Sequence, residues 1–317
     1  MSDMTDRIKI LQYAHLPDRI ESALHALFDV TRLPANEAEH EAFLTQHGSA
    51  FRGVCVRHAH MDAAMLDLMP NLEVLSSYSA GLDGIDIDAA KARGVAIFNT
   101  SEILAEDVAD LALVLALSVT RGTIRGHDFV RDGNWEHSSF PLGRSIRSLK
   151  TGIVGLGHIG AAVARRFAAM DAKLAYSGPR KKPVDYRYFD KVEDLAEWAD
   201  LLIVTCPATD ETYRMINANV LQKLGKDGFL VNVSRGSVVD EEALLSALAE
   251  DGIAGAALDV FEAEPHVPQA LRSDTRVVLS PHMGSGTTET RDQMGDQMIK
   301  ALVDYFAERG QDARLRA

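Results

Sequence analysis

Cysteine is nearly absent from this 317-residue chain, which holds only Cys55 and Cys206. Two distant thiols with no metal-type spacing exclude a disulfide scaffold and a cysteine zinc site, and a reducing compartment is expected, with both packed as small apolar groups. Long apolar runs are missing too. The longest, Leu111–Val119, includes Ser118 and is too short to span a bilayer. Around Asp3, Asp6, Arg7 and Lys9 there is no apolar secretory core, so a cytoplasmic location is expected. Positive charge is also in deficit: 33 Lys and Arg face 46 Asp and Glu, a net charge of −13. Neither nucleic acid nor an anionic membrane is then an expected partner, and an anionic ligand would have to meet cations gathered locally.

There is no internal repeat, low-complexity tract or Pro-rich linker. The chain is 46% hydrophobic and 25% charged, the ordinary globular range. Apolar runs alternate with helical patterns from end to end, which predicts an α/β protein with parallel sheets. Strand-like segments are Ile8–Tyr13, Gly53–Arg57, Glu73–Ser77 and Val95–Phe98, with amphipathic stretches such as Asp18–Phe28 and Asp62–Leu68 between them. A long helical run is predicted over 100–131, its start enriched in Glu102, Glu106 and Asp107, where the helix dipole favours anions. After a polar segment the strands resume at Thr151–Gly155, Lys173–Ser177, Leu201–Thr205, Gly228–Val233, Ala256–Val260 and Arg276–Leu279, and a last helix is predicted over Thr287–Arg309. Two α/β units are expected, divided near residue 100.

The turn after the fifth of these strands places Gly155, Gly157 and Gly160 as G-x-G-x-x-G, between an apolar strand and an Ala-rich helix. In that setting the first glycine permits the turn, the second lets backbone approach a pyrophosphate, and the third lets helix pack on strand; the phosphates sit on the helix N-terminus. Leu156, His158 and Ile159 complete this candidate dinucleotide loop. An NAD-specific site needs a carboxylate about 20 residues further on, at the end of the next strand. Here that strand ends in Ser177, followed by Arg180, Lys181 and Lys182. Without the acid and with added cations, NADP is favoured, Ser177 and Arg180 being donors for a 2′-phosphate; NAD remains a weaker alternative.

Three later strand ends carry complementary polar residues: Arg235, Glu264 and His282. Ligands of open parallel sheets bind outside such ends. Arg235 is the candidate to hold a substrate carboxylate bidentately, His282 to protonate a carbonyl oxygen, and Glu264 to fix the imidazole through its other nitrogen. An H-x-H pair, His58 and His60, lacks a third ligand nearby, so no metal is expected.

The segments Ser76–Asp86 (SSYSAGLDGID), Glu106–Ala112 (EDVADLA), Gly155–Gly160, Val231–Gly236 (VNVSRG), Leu258–Pro265 (LDVFEAEP) and Pro281–Gly286 (PHMGSG) together resemble the D-2-hydroxyacid dehydrogenases, and within them the NADPH-preferring glyoxylate and hydroxypyruvate reductases. The resemblance spans nearly the whole chain. It implies two doubly wound parallel-sheet domains, a Rossmann cofactor domain (99–286) inserted in a flavodoxin-like substrate domain (1–98 plus 287–317). It also implies that Arg235, Glu264 and His282 are catalytic and that backbone N–H groups near Ala80 and Gly81 bind the substrate carboxylate. Asp259 is then expected near the nicotinamide, Cys206, Pro207 and Thr212 near the adenosine and phosphates, and Lys181, Val233, Ser234, Gly284 and Ser285 at the cofactor as well. Relatives of this kind dimerise through the cofactor domain, so a homodimer is expected in which Trp135 reaches the partner's site.

His158 departs from the Arg common at its position, and the loop Arg57-His58-Ala59-His60 replaces a small Gly-containing one. Arg57 is thereby a candidate border of the substrate pocket. The leading expectation is reduction of a small anionic 2-oxo acid such as glyoxylate or hydroxypyruvate. A larger acid such as 2-ketogluconate and a non-enzymatic dinucleotide sensor on the same fold are the alternatives.

Overall fold

The computed structural model describes residues 7–57 and 59–310. The chain divides into two compact units, one formed by the segment up to Ile103 together with that from Thr287 onward, the other by Leu104–Gly286. The first break thus falls a few residues beyond the expected 98/99.

The first unit is built on strands β1 (Lys9–Gln12), β2 (Asp29–Arg32), β3 (Gly53–Val56), β4 (Val74–Ser77) and β5 (Ala96–Phe98). All are parallel, in the order β2-β1-β3-β4-β5. Both central strands β3 and β4 are buried at every residue, as a sheet covered by helices on both faces requires. One face packs Leu11, Val54, Val56 and Leu75 against Leu44, Leu66 and Ala90. The terminal helix Thr288–Glu308 lies on β4, tied to it by the Ser76 hydroxyl donating to the Met298 carbonyl at 2.9 Å.

The second unit carries β6 (Lys150–Val154), β7 (Lys173–Ser177), β8 (Arg187–Phe189), β9 (Leu201–Val204), β10 (Phe229–Asn232), β11 (Gly255–Leu258) and β12 (Val277–Leu279). They form one parallel sheet in the order β12-β11-β10-β9-β6-β7-β8. From β6 the chain winds outward through β7 and β8, then returns to the other side of β6 at β9. The β6/β9 crevice is therefore the switch point where open sheets of this kind bind ligands. Helices Ala105–Arg121 and His158–Ala169 pack together beside it, joined by Arg166, whose Nε donates to Asp110 at 2.6 Å and whose Nη1 donates to Glu106 at 2.8 Å.

One helical run and two strands differ from the sequence expectation. The long helical run is two helices, Ala105–Arg121 and Thr123–Arg131, because Gly122 between them adopts φ 63°; a left-handed residue ends one helix as a C-cap and redirects the chain. The strands β2 and β8 were not anticipated. Both are short outer strands of mixed polarity (DVTR and RYF), and only one partner strand supports each, so neither needs the apolar pattern that marks a central strand.

Candidate active site

At the tip of β6, Gly155 turns the chain with φ 90°. A Cβ there would lie 2.8 Å from Cys206, and one on Gly160 would lie 2.0 Å from the Gly155 carbonyl oxygen. These two glycines are set by packing. Gly157 differs: a Cβ would meet nothing within 4 Å, so its absence leaves open space in front of the backbone. The helix His158–Ala169 starts there with no side-chain cap, and its first N–H groups and dipole face outward as an anion site. An open backbone cradle at an uncapped helix start fits the pyrophosphate of a dinucleotide.

Ser177 ends β7 and is buried; its carbonyl accepts the Gly155 N–H at 2.8 Å. The turn that follows is fixed by two tyrosines the sequence did not flag. Tyr176 Oη accepts the Lys182 N–H at 2.7 Å, and Tyr188 on β8 donates to the Gly178 carbonyl at 2.9 Å. Arg180 and Lys181 stand exposed on this turn. On the next strand tip, Cys206 is buried, which pushes its thiol up to about 12. Thr212 organises the adjoining loop, donating to the Pro207 carbonyl at 2.7 Å and accepting the Thr209 N–H at 2.8 Å.

Three neighbouring strands, β10, β11 and β12, end in a connected polar network. After β10, Asn232 Oδ1 accepts both the Ser234 N–H at 3.0 Å and its hydroxyl at 2.8 Å, while Asn232 Nδ2 donates to the Arg235 carbonyl at 2.9 Å. Arg235 follows in extended backbone, its Nη1 donating to the Ser234 carbonyl at 2.7 Å. After β11, Asp259 is 1% exposed. Its Oδ1 accepts the Ser280 hydroxyl at 2.6 Å and the Met283 N–H at 2.9 Å, and its Oδ2 accepts the Gly284 N–H at 2.9 Å. Asp259 therefore clamps the turn after β12, a structural task beyond the nicotinamide contact expected of it.

That turn carries His282 at φ 50°, a left-handed conformation rare for a residue with a Cβ and characteristic of functional sites. Its backbone N–H donates to the Asp259 carbonyl at 2.8 Å. The ring Nδ1 is 2.7 Å from Glu264 Oε2, and the other oxygen of Glu264 accepts the Phe261 N–H at 3.0 Å. Both oxygens of the carboxylate are thus engaged and the imidazole plane is set. The pair is partly exposed, at 39% and 33% of the side chains, so the ring is fixed yet reachable. No partner holds Nε2 among the described residues.

In the first unit, the turn after β4 presents Ala80 and Gly81. Asn99 Nδ2 donates to the Ala80 carbonyl at 3.0 Å and the Ser79 hydroxyl donates to the Gly81 carbonyl at 3.3 Å. Their own N–H groups find no acceptor among the described residues. Arg57 follows β3 and is half-buried. Trp135 stands on a short 3-10 turn, 68% exposed. Among the described residues no three His, Cys, Asp or Glu side chains group as metal ligands; His58 lies outside those residues, and the His60 N–H donates to Tyr13 Oη at 3.2 Å. No described helix is long and apolar enough to cross a membrane.

Comparison with known proteins gives a consistent neighbourhood. The profile described as "D-isomer specific 2-hydroxyacid dehydrogenase, NAD binding domain" matches residues 113–284. A glyoxylate/hydroxypyruvate reductase of Arabidopsis thaliana is 40% identical over 304 residues, 95% of this chain and 97% of that one. A 2-ketogluconate reductase of Gluconobacter oxydans is 42% identical over 246 residues, 77% of this chain and 79% of that one. Among solved structures, the NADPH-dependent glyoxylate/hydroxypyruvate reductase of Sinorhizobium meliloti, in complex with NADP and malonate, is similar with a TM-score of 0.86 at 37% identity, covering 95% of this chain and 94% of that one.

Proposed function

Because the chain belongs to the D-isomer specific 2-hydroxyacid dehydrogenase family, we propose that it reduces a small 2-oxo acid to the D-2-hydroxy acid with NADPH. The observation that carries this reading is the 2.7 Å bond between His282 Nδ1 and Glu264 Oε2, which fixes the ring and leaves Nε2 for a substrate oxygen.

The N–H groups of Ala80 and Gly81, which have no acceptor among the described residues, take the substrate carboxylate, and Arg235 is a further cation for an anionic substrate. His282, protonated, donates its Nε2 proton to the carbonyl oxygen as the carbonyl carbon accepts hydride. Glu264 stabilises the imidazolium before transfer and holds the ring after it. Reduced nicotinamide supplies the hydride when bound. The loop Gly155–Gly160 would hold the pyrophosphate of the dinucleotide, and Ser177, Arg180 and Lys181 would take the 2′-phosphate. That last assignment rests on the missing carboxylate after β7, and NAD is accepted less well. Cys206, Pro207, Thr212, Val233, Ser234, Asp259, Gly284 and Ser285 complete the cofactor surroundings.

Glyoxylate and hydroxypyruvate are the first substrates to test, since the Arabidopsis relative is named for both. The functional unit is a homodimer, a reading supported by Val114, Ile124, Val130, Trp135 and Leu142, large apolar side chains that all stand exposed within one segment of the second unit; Trp135 would then serve the partner's site. Two buried free thiols fit a cytoplasmic setting. The test is nicotinamide absorbance with the purified protein, a panel of 2-oxo acids and each dinucleotide. Oxidation of NADPH that depends on a 2-oxo acid is expected, and no turnover across the panel would overturn the assignment.

A further inference from the structure

The first sheet has its own switch point. Its order β2-β1-β3-β4-β5 sends the chain to opposite sides of the β1/β3 boundary, and the crevice beyond those two strand ends is where such a sheet receives a ligand. Arg57 is the first residue past β3. The backbones of the two flanking strands run on beside it, with the Tyr13 N–H donating to the Cys55 carbonyl and the Tyr78 N–H to the Val56 carbonyl, each at 2.9 Å.

The guanidinium lies 5.9 Å over the ring of the buried Tyr78, and Nη1 reaches the His15 carbonyl at 3.4 Å, too long for a strong bond. Its Nε is buried and has no acceptor among the described residues. Among the described residues no carboxylate pairs with it, whereas Arg19, Arg32, Arg52 and Arg93 in the same unit each hold one. The nearby Glu21 is already taken by Arg32, His15, Gln12 and the Leu16 N–H. A half-buried cation with a buried idle donor is costly unless an anion completes it.

Ala80 and Gly81, whose N–H groups have no acceptor among the described residues, lie in the turn after the adjacent strand β4, and neighbouring strands lie about 4.8 Å apart. We propose that Arg57 binds a second anionic group at the far end of the substrate, so that the preferred 2-oxo acid carries an oxyanion tail, carboxylate or phosphate. This rests on the reading above in which Ala80 and Gly81 seat the first carboxylate.

The experiment compares kcat/KM with NADPH for glyoxylate, 2-oxovalerate, 2-oxoglutarate and 3-phosphohydroxypyruvate. It uses the wild-type chain, Arg57→Met and Arg57→Lys, with thermal melts of all three. An anionic-tailed acid is expected to exceed its neutral-tailed counterpart by about tenfold or more, the weight of a charge-assisted bond. Arg57→Met should bring that ratio toward unity, and Arg57→Lys should keep part of it. The better of the two anionic acids identifies the tail as carboxylate or phosphate. A wild-type chain that does not prefer a charged tail overturns the proposal, as does an unchanged ratio in a folded Arg57→Met. Absence of turnover with every acid, glyoxylate included, overturns instead the reductase reading beneath it.

Discussion

Asp259 reaches from the end of β11 to the end of β12, where its Oδ1 accepts the Ser280 hydroxyl at 2.6 Å. The same carboxylate accepts the N–H groups of Met283 and Gly284, so one buried side chain holds the turn that carries His282. Asp259→Ala would leave three donors unpaired, each costing about 1–3 kcal/mol when buried. With partial relief by entering water, a loss of about 3 kcal/mol is expected, read as a lower urea midpoint. Asp259→Asn keeps Oδ1 as acceptor but turns an amide toward the Gly284 N–H, donor against donor. It should lose about half as much stability and still lower kcat, because the His282 turn is no longer held.

His282→Ala removes the proposed proton donor from a site whose dinucleotide loop lies on other strands. Turnover should fall by about 100-fold or more, while NADPH affinity, followed by nicotinamide fluorescence, changes little. Glu264→Gln preserves a hydrogen bond to the ring and removes the charge that stabilises the imidazolium. Its rate should lie between wild type and His282→Ala. A rate in His282→Ala close to wild type would remove the imidazole from the mechanism.

Cofactor preference turns on Ser177, whose position at the end of β7 is fixed by the Gly155 N–H bonded to its carbonyl. Ser177→Asp would set a carboxylate against a 2′-phosphate while offering an acceptor to a 2′-hydroxyl. NADPH should bind about tenfold more weakly, a change of ~1.4 kcal/mol, and NADH more tightly. Titration calorimetry with both nucleotides reads the two shifts separately, and an unchanged ratio would locate discrimination elsewhere.

Much of this fold was legible because buried parallel strands announce themselves. The runs around Val54, Leu75, Ile153, Ile203, Val231 and Ala257 are apolar on both faces, and all lie in central strands. The outer strands β2 and β8 escaped notice because their residues are partly solvated and follow no apolar alternation. Gly122 was visible as a glycine, yet nothing local distinguishes a tolerated helical glycine from one at φ 63°. Arg235, Glu264 and His282 were singled out as candidates through their places at strand ends. Asn232, Ser280 and the tyrosines Tyr176 and Tyr188 were not, since hydrogen bonds across strand tips depend on sheet order, which periodicity does not report. Arg57 was legible as a candidate border of the substrate pocket from its place after a strand, but its position at the β1/β3 switch point and its buried Nε depend on sheet order and packing.

The segment between Val114 and Leu142 supplies the last prediction. Leu142 is fully exposed and Val130 is 53% exposed, on either side of Trp135 at 68%. Single exposed apolar residues are ordinary, but several within one segment make it the candidate contact of the proposed homodimer. If that surface joins two copies, Val130→Asp with Leu142→Asp desolvates charge at the contact and should yield a monomer by light scattering. Trp135→Ala separates assembly from function: it should leave the dimer largely intact and raise KM for the 2-oxo acid, provided the indole serves the partner's site. A double Asp variant that still elutes as a dimer would move the interface to another face. A Trp135→Ala dimer with unchanged KM would confine that indole to packing.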